Sequence, residues 1–255
     1  MHKNLSFSKS FRKNVLILRS LLKECMKETT KLIAFDADDT LWDCQGHFER
    51  VMQELYTLLE PWVDRETAAQ ELFATERKNM PLLGYGTKAF SLSMIETALR
   101  VSRYELTASK LAWLQEECYT LLKLPATPLP EVEDTLEELS RRGWRMVVFT
   151  KGELLDQEHK LRRSGLSRFF EHLEITSDKT EREFRNLCRF LAIAPEELLM
   201  VGNSLKSDIA PALAIGASAV HIPFHVTWEL EHVETFEHPR LSHITHFSQL
   251  LDVIG

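Results

Sequence analysis

The chain has 255 residues, 44% of them apolar and 27% charged, with 9 glycines and 9 prolines. That composition supports one substantial core and a second, smaller one, and it excludes a disordered, collagen-like or disulfide-stapled protein. A formal charge of −7 argues against nucleic acid and anionic membrane as partners, because both require a basic surface.

Residues 1–30 carry seven Lys or Arg against Glu24 and Glu28. We read this stretch as a disordered or loosely helical extension rather than a targeting segment, with Met26 a second plausible start. The longest apolar runs, Val15–Leu18 and Met146–Phe149, fall well short of the roughly 20 residues of a membrane-spanning helix. Cys25, Cys44, Cys118 and Cys188 form no Cys-x-x-Cys pair, so reduced thiols in the cytoplasm are expected.

From Leu32 onward short apolar runs alternate with helical periodicity, the pattern of strand-helix-strand units and a parallel sheet. Strands are predicted at Leu32–Phe35, Arg145–Phe149, Leu173–Ile175, Leu198–Val201 and Ala219–Ile222, brief and apolar as strands covered on both faces should be. Val132, Leu136 and Leu139 mark a helix that stops at Gly143; Leu154, Leu155 and Leu161 mark one ending at Gly165; Phe184, Leu187, Cys188 and Leu191 mark another. The alternation breaks between Cys44 and Pro130. Phe48, Val51, Met52, Leu55 and Leu59 open a run of about four amphipathic helices, continued over Ala68–Arg77, Ala89–Val101 and Ala108–Leu122 and closed by Pro125, Pro128 and Pro130. The expected organisation is an α/β, Rossmann-like doubly wound parallel sheet over 31–45 and 129–255, with an all-helical cap domain inserted over 46–128. Such a cap stands above the carboxyl ends of the strands, where open α/β sheets bind ligands.

The first strand ends in Asp36-Ala37-Asp38-Asp39-Thr40. Three carboxylates within four positions, beside a buried strand, repel one another and lose solvation unless a cation joins them. Alternation of side chains brings Asp36 and Asp38 to one site and sends Asp39 elsewhere. Thr150 follows the Met146–Phe149 strand, where a hydroxyl and neighbouring amides can hold a phosphoryl oxygen. Lys179, before the Phe184 helix, offers a fixed ammonium to offset a nucleophile and a phosphate together, with Lys151 the competing candidate. Gly202-Asn203-Ser204-Leu205-Lys206-Ser207-Asp208 follows the fourth strand: the glycine permits a tight turn, Asp208 is placed to cap the next helix, and Asn203 and Asp208 can face a metal.

These motifs, in this order and each after a strand, resemble those of the haloacid dehalogenase-like (HAD) hydrolase superfamily over Leu32 to about Ile222, with a helical cap of the first type. Asp36, Asp38 and Thr40 fit its Asp-x-Asp-x-Thr at every defined position. Asn203 stands where the family usually has Asp, an oxygen ligand without the charge. The resemblance implies a Mg²⁺-dependent hydrolase of a small phosphomonoester. Asp36 is the implied nucleophile, Asp38 the acid/base with its carbonyl on the metal, Thr150 and Lys179 the phosphoryl-binding pair, and Asn203 and Asp208 further metal ligands. The alternatives are a 2-haloacid dehalogenase, which needs no acid at position 38; a phosphonate hydrolase, which needs a cap lysine such as Lys78 or Lys88; and a non-catalytic regulatory protein, motivated by Asn203 alone. Arg50 and Arg77 are candidates to grip a substrate anion or to lie on a wet helix face; His243-x-x-His246 is read as solvated rather than a metal pair, and Trp42 and Trp144 as packing residues.

Overall fold

The computed structural model describes residues 30–225, 231 and 233–255. The expectations for residues 1–29, including Met26 and Cys25, lie outside the described residues.

In chain order the elements are β1 (Leu32–Phe35), α1 (Gln45–Leu59), α2 (Arg65–Leu83), α3 (Thr87–Val101), α4 (Ala108–Leu122), α5 (Val132–Arg141), β2 (Arg145–Lys151), α6 (Leu154–Arg163), β3 (His172–Thr176), α7 (Glu181–Phe190), β4 (Leu198–Gly202), α8 (Ala210–Ala214), β5 (Ser218–His221), β6 (Leu241–His243) and α9 (Leu250–Ile254). The strands form one sheet in the order β3-β2-β1-β4-β5-β6, every neighbouring pair parallel. This is the doubly wound α/β fold expected. The order in which strands are added reverses between β1 and β4, and that switch point opens a crevice at the carboxyl ends of the strands.

The central strands match the sequence reading because Leu32–Phe35 and Leu198–Val201 are fully buried, covered by helices on both faces. Ile33, Phe35, Val148 and Val201 point into a layer with α5 and α9, while Ala34, Val147, Phe149 and Met200 pack against Phe184, Leu187 and Cys188 of α7. Two differences have simple causes. β3 lies at the sheet edge and is only partly buried, so it accommodates His172, Glu174 and Thr176 instead of a wholly apolar run. β6 is a three-residue edge strand, Leu241-Ser242-His243, too short and polar to show as an apolar run.

Between β1 and α5 the chain forms four helices and, among the described residues, no strand. Val51, Leu55, Leu72, Met94, Leu114 and Cys118 of these helices make an apolar cluster of their own. α2 runs six residues beyond the predicted Arg77, through Pro81 to Leu83. A proline near a helix end removes only one backbone donor, and the extra turn carries Asn79, Met80 and Leu83 over the crevice. The insertion leaves and re-enters the core side by side: the Leu129 N–H donates to the Leu41 carbonyl at 2.9 Å, and Trp42 bridges to Pro128. No helix among the described residues is long and apolar enough to cross a membrane.

Candidate active site

β1 continues one residue past its end, because the Asp36 N–H donates to the Val201 carbonyl of β4 at 2.9 Å. This extension fixes the Asp36 carboxylate at the switch point. One of its oxygens accepts from Lys179 Nζ at 2.5 Å and the other from the Thr40 hydroxyl at 3.2 Å. Lys179 also donates to Asp208 Oδ1 at 2.6 Å, and the other Asp208 oxygen accepts the Ser204 N–H at 2.9 Å. Gly202 is required here: a Cβ at that position would overlap the folded-back Asp208 side chain. Thr40 joins the two motifs, since its hydroxyl lies 3.2 Å from the Asn203 amide oxygen and accepts the Asn203 N–H at 3.1 Å. Burial, with the Asp208 charge adding to it, pushes the Asp36 carboxyl up to about 7 against the pull of Lys179.

Asp38 faces the same cavity but rests on a different cation. Lys160 Nζ donates to both of its oxygens, at 2.8 and 3.0 Å. Gln157 Nε2 adds a bond of 2.9 Å and Trp42 Nε1 one of 2.7 Å. Burial raises the Asp38 pKa, yet the Lys160 charge and these three donors outweigh it and hold the carboxyl below its ordinary range. Lys160 is only 2% exposed. Its other carboxylate neighbour, Asp156, lies 3.5 Å away and accepts from the Thr87 hydroxyl of α3 at 2.9 Å. A continuous polar chain, Thr87–Asp156–Lys160–Asp38, therefore runs from the helical insertion to the second aspartate. Asp39 also touches the cavity wall, but its carboxylate does not join this cluster. With a φ of 62°, a conformation that Asp tolerates, it accepts the N–H groups of Cys44 and Gln45 at 2.9 and 2.8 Å and so begins α1.

Asp36, Asp38, Thr150, Lys179, Asn203 and Asp208 all line one cavity of about 200 Å³ between the sheet and the insertion. Thr150 is buried, and its hydroxyl donates to the Lys151 carbonyl at 3.4 Å. Of the two candidate lysines, Lys179 contacts Asp36, whereas Lys151 pairs with Glu231 at 2.6 Å and Ser207 at 2.7 Å and lies 3.8 Å from the centre of the Tyr85 ring. Asp208 does not cap the following turn. Ser204 does, accepting the Ser207 N–H at 3.0 Å, because the Asp208 carboxylate is held by Lys179. Trp42 is buried, as a packing residue should be, and in addition donates to Asp38.

Arg50 pairs with Glu117 at 2.8 Å, Arg77 is exposed and stacks on Phe73, and neither lines the cavity. Lys78 and Lys88 are likewise exposed, on Glu96 and Glu153, and absent from its wall. His246 is exposed, and His243 meets His221 at 3.2 Å rather than His246. Sequence reasoning missed Gln157 and Lys160, and it expected Leu154 and Leu155 to be the buried face of α6. Those leucines are 64% and 55% exposed. The available signal was spacing: Gln157, Lys160 and Leu161 stand at i, i+3 and i+4, on one helix face.

The donor set suits a hard divalent cation. Two buried carboxylates, Asp36 and Asp208, share a single ammonium. The Asn203 amide oxygen stands within reach of Thr40 beside them, and oxygen ligands of this kind are those of Mg²⁺ and Ca²⁺. Among the described residues no three His, Cys, Asp or Glu side chains converge as a metal group; the third oxygen here belongs to an amide.

An open parallel sheet whose switch point carries Asp36, Asp38, Lys179 and Asp208 under a helical insertion defines an enzyme site at the carboxyl edge of a doubly wound α/β fold. Residues 30–216 match the model of the haloacid dehalogenase-like hydrolases, and the chain belongs to that family as an enzyme of its phosphatase type. It is 28% identical over 213 residues to a glyceraldehyde 3-phosphate phosphatase of Methanothermobacter thermautotrophicus, covering 80% of this chain and 91% of that one. It is 27% identical over 203 residues to the human N-acylneuraminate-9-phosphatase, covering 74% of this chain and 80% of that one. A haloacid dehalogenase-like hydrolase from Xanthomonas campestris superposes with a TM-score of 0.80 at 29% identity, covering 89% of this chain and 91% of that one.

Proposed function

We propose that the protein is a Mg²⁺-dependent phosphatase of small phosphomonoesters acting through an aspartyl-phosphate on Asp36. The observation that carries this reading is the pair of aspartates at the end of β1, both on one cavity and each held by its own buried lysine. Asp36 attacks phosphorus as the bond to the substrate alcohol breaks, and a proton from Asp38 goes to the departing oxygen. In the second step Asp38 takes a proton from water, the water oxygen bonds to phosphorus, and the Asp36–phosphorus bond breaks to release phosphate. The Lys160 ion pair favours the ionised Asp38 that this second step needs; approach of the phosphoryl charge raises its proton affinity for the first.

Lys179 neutralises Asp36 and the phosphoryl group, and Thr150 binds a phosphoryl oxygen. The Asp36 and Asp208 carboxylates, the Asn203 amide oxygen and the Asp38 main-chain carbonyl would hold Mg²⁺. When bound, the ion supplies positive charge to the phosphoryl oxygens. Residues 46–128 act as the cap that encloses the substrate. Buried free thiols at Cys44, Cys118 and Cys188 suit the reducing cytoplasm.

Phosphate release from a panel of phosphomonoesters, with and without Mg²⁺, tests the reading. Wild type should be active only with the metal, and Asp36→Asn should lose several orders of magnitude in kcat without unfolding. Near wild-type turnover by that variant would overturn the proposal.

A further inference from the structure

The insertion brings a single charged side chain to the cavity wall, and it is a carboxylate. Glu76, on α2, is 9% exposed and lines the cavity; among the described residues it has no hydrogen bond or ion pair. Around it the insertion contributes apolar or neutral groups, among them Phe48, Met52, Met80 and Phe90. Asn79, one turn along α2, gives its amide nitrogen to Ser93 at 3.2 Å and Glu96 at 2.9 Å. Its carbonyl oxygen is left as an acceptor. Among the described residues the cavity's ammonium groups all come from the core, and each already faces a carboxylate: Lys151 on Glu231, Lys160 on Asp38 and Asp156, Lys179 on Asp36 and Asp208.

A carboxyl this far buried with no protein partner costs stability, so its presence on the wall of a ligand cavity, on the side the insertion supplies, calls for a ligand that completes it. An ammonium or hydroxyl group supplies the missing partner. A second carboxylate or phosphate would meet no unpaired cation among the described residues and would force Glu76 to hold a proton. Consistent with this, burial alone pushes the Glu76 carboxyl up to about 7.

Resting on the phosphatase reading above, we infer that Glu76, with Asn79, selects small phosphomonoesters whose far end carries a hydrogen-bond donor and no negative charge, and rejects those ending in an anion. A cavity of about 200 Å³ restricts the class to compact molecules such as phosphorylated short polyols and amino alcohols.

The test uses a matched pair, glycerol 3-phosphate and 3-phosphoglycerate, which differ in a terminal hydroxymethyl against a carboxylate, with O-phosphoethanolamine to separate an ammonium from a hydroxyl. For wild type, kcat/KM should favour glycerol 3-phosphate over 3-phosphoglycerate by about tenfold or more. Glu76→Gln, which keeps the shape and removes the charge, should shrink that ratio to within about threefold and should weaken phosphoethanolamine most if the ammonium is the natural partner. Equal preference in wild type, or a ratio unmoved by Glu76→Gln, would overturn the inference. Calorimetric titration of Asp36→Asn with the same esters reads the preference without turnover. If no ester is hydrolysed by wild type, the phosphatase reading fails, while the order of binding still decides for or against Glu76; absence of binding by every ester decides against it.

Discussion

Asn203 shows how much one oxygen-for-oxygen replacement leaves unchanged. Its amide oxygen and its N–H both engage Thr40, so the geometry of the site is kept while one negative charge is missing. A unit charge about 4 Å from another is worth roughly 4 kcal/mol at an effective dielectric near 20, and about 1.4 kcal/mol is a tenfold change in affinity. Asn203→Asp is expected to tighten Mg²⁺ binding by about tenfold, and Asp208→Asn to weaken it by more, because the second change also strips Lys179 of one of its two acids. Isothermal titration of Mg²⁺ at fixed ionic strength measures both; an unchanged dissociation constant in both would place the ion elsewhere. Glu76 supplies a stability test of the opposite kind. Its folded carboxyl titrates at about 7 rather than the ordinary 4.5, so the folded state binds the proton more tightly than the unfolded one. Its contribution is intact below about pH 4.5 and is lost as pH rises through about 7, a penalty of at most about 3 kcal/mol. Glu76→Gln carries no such penalty. Urea denaturation should give equal stability for variant and wild type near pH 4 and a more stable variant near pH 8; a constant difference would show that Glu76 does not titrate this way. The aspartates were legible in the sequence because acids after an apolar strand violate burial rules. Lys160, Gln157 and Glu76 were not, since each stands in an amphipathic helix where a polar residue ordinarily marks the wet face.

At the level of elements, the contact between α3 and α6 joins the insertion to the site. Thr87 is 1% exposed and opens α3, with its hydroxyl on Asp156, which in turn flanks Lys160 and through it Asp38. Lys88 and Glu153 add a second link, the Lys88 N–H donating to Glu153 at 3.0 Å. Thr87→Val removes one donor from a buried carboxylate that already has an oxygen with no hydrogen bond, Asp156 Oδ1. The expected cost is about 1–3 kcal/mol in stability. If this chain positions Asp38, kcat should also fall more for alkyl phosphates, whose leaving groups need a proton, than for p-nitrophenyl phosphate, whose leaving group does not. An equal fall for both substrates would make the link purely structural. Hydrophobic periodicity found α6 but assigned its inner face to Leu154 and Leu155, because a pattern of apolar residues cannot register a helix that turns Asp156, Gln157 and Lys160 inward. The same limit hid β6, which has only Leu241 as an apolar residue.

For the whole molecule, the parallel sheet and the run of inserted helices were readable because buried parallel strands and amphipathic helices leave different periods in the chain. The separate apolar cluster of the insertion makes it a candidate for independent removal. Replacing about residues 47–128 by a short linker should leave a soluble core with a cooperative thermal transition and severely impaired activity on small phosphomonoesters. A core that failed to fold would make the two parts one cooperative unit.

The side-by-side crossing of the chain at Leu41–Leu129 and Trp42–Pro128 has a mechanical consequence. The two ends of the insertion are held at one place on the core, so any relative displacement of insertion and core must pivot there or break the bond between the Leu129 N–H and the Leu41 carbonyl. The Thr87–Asp156 and Lys88–Glu153 hydrogen bonds tie the two parts together a second time.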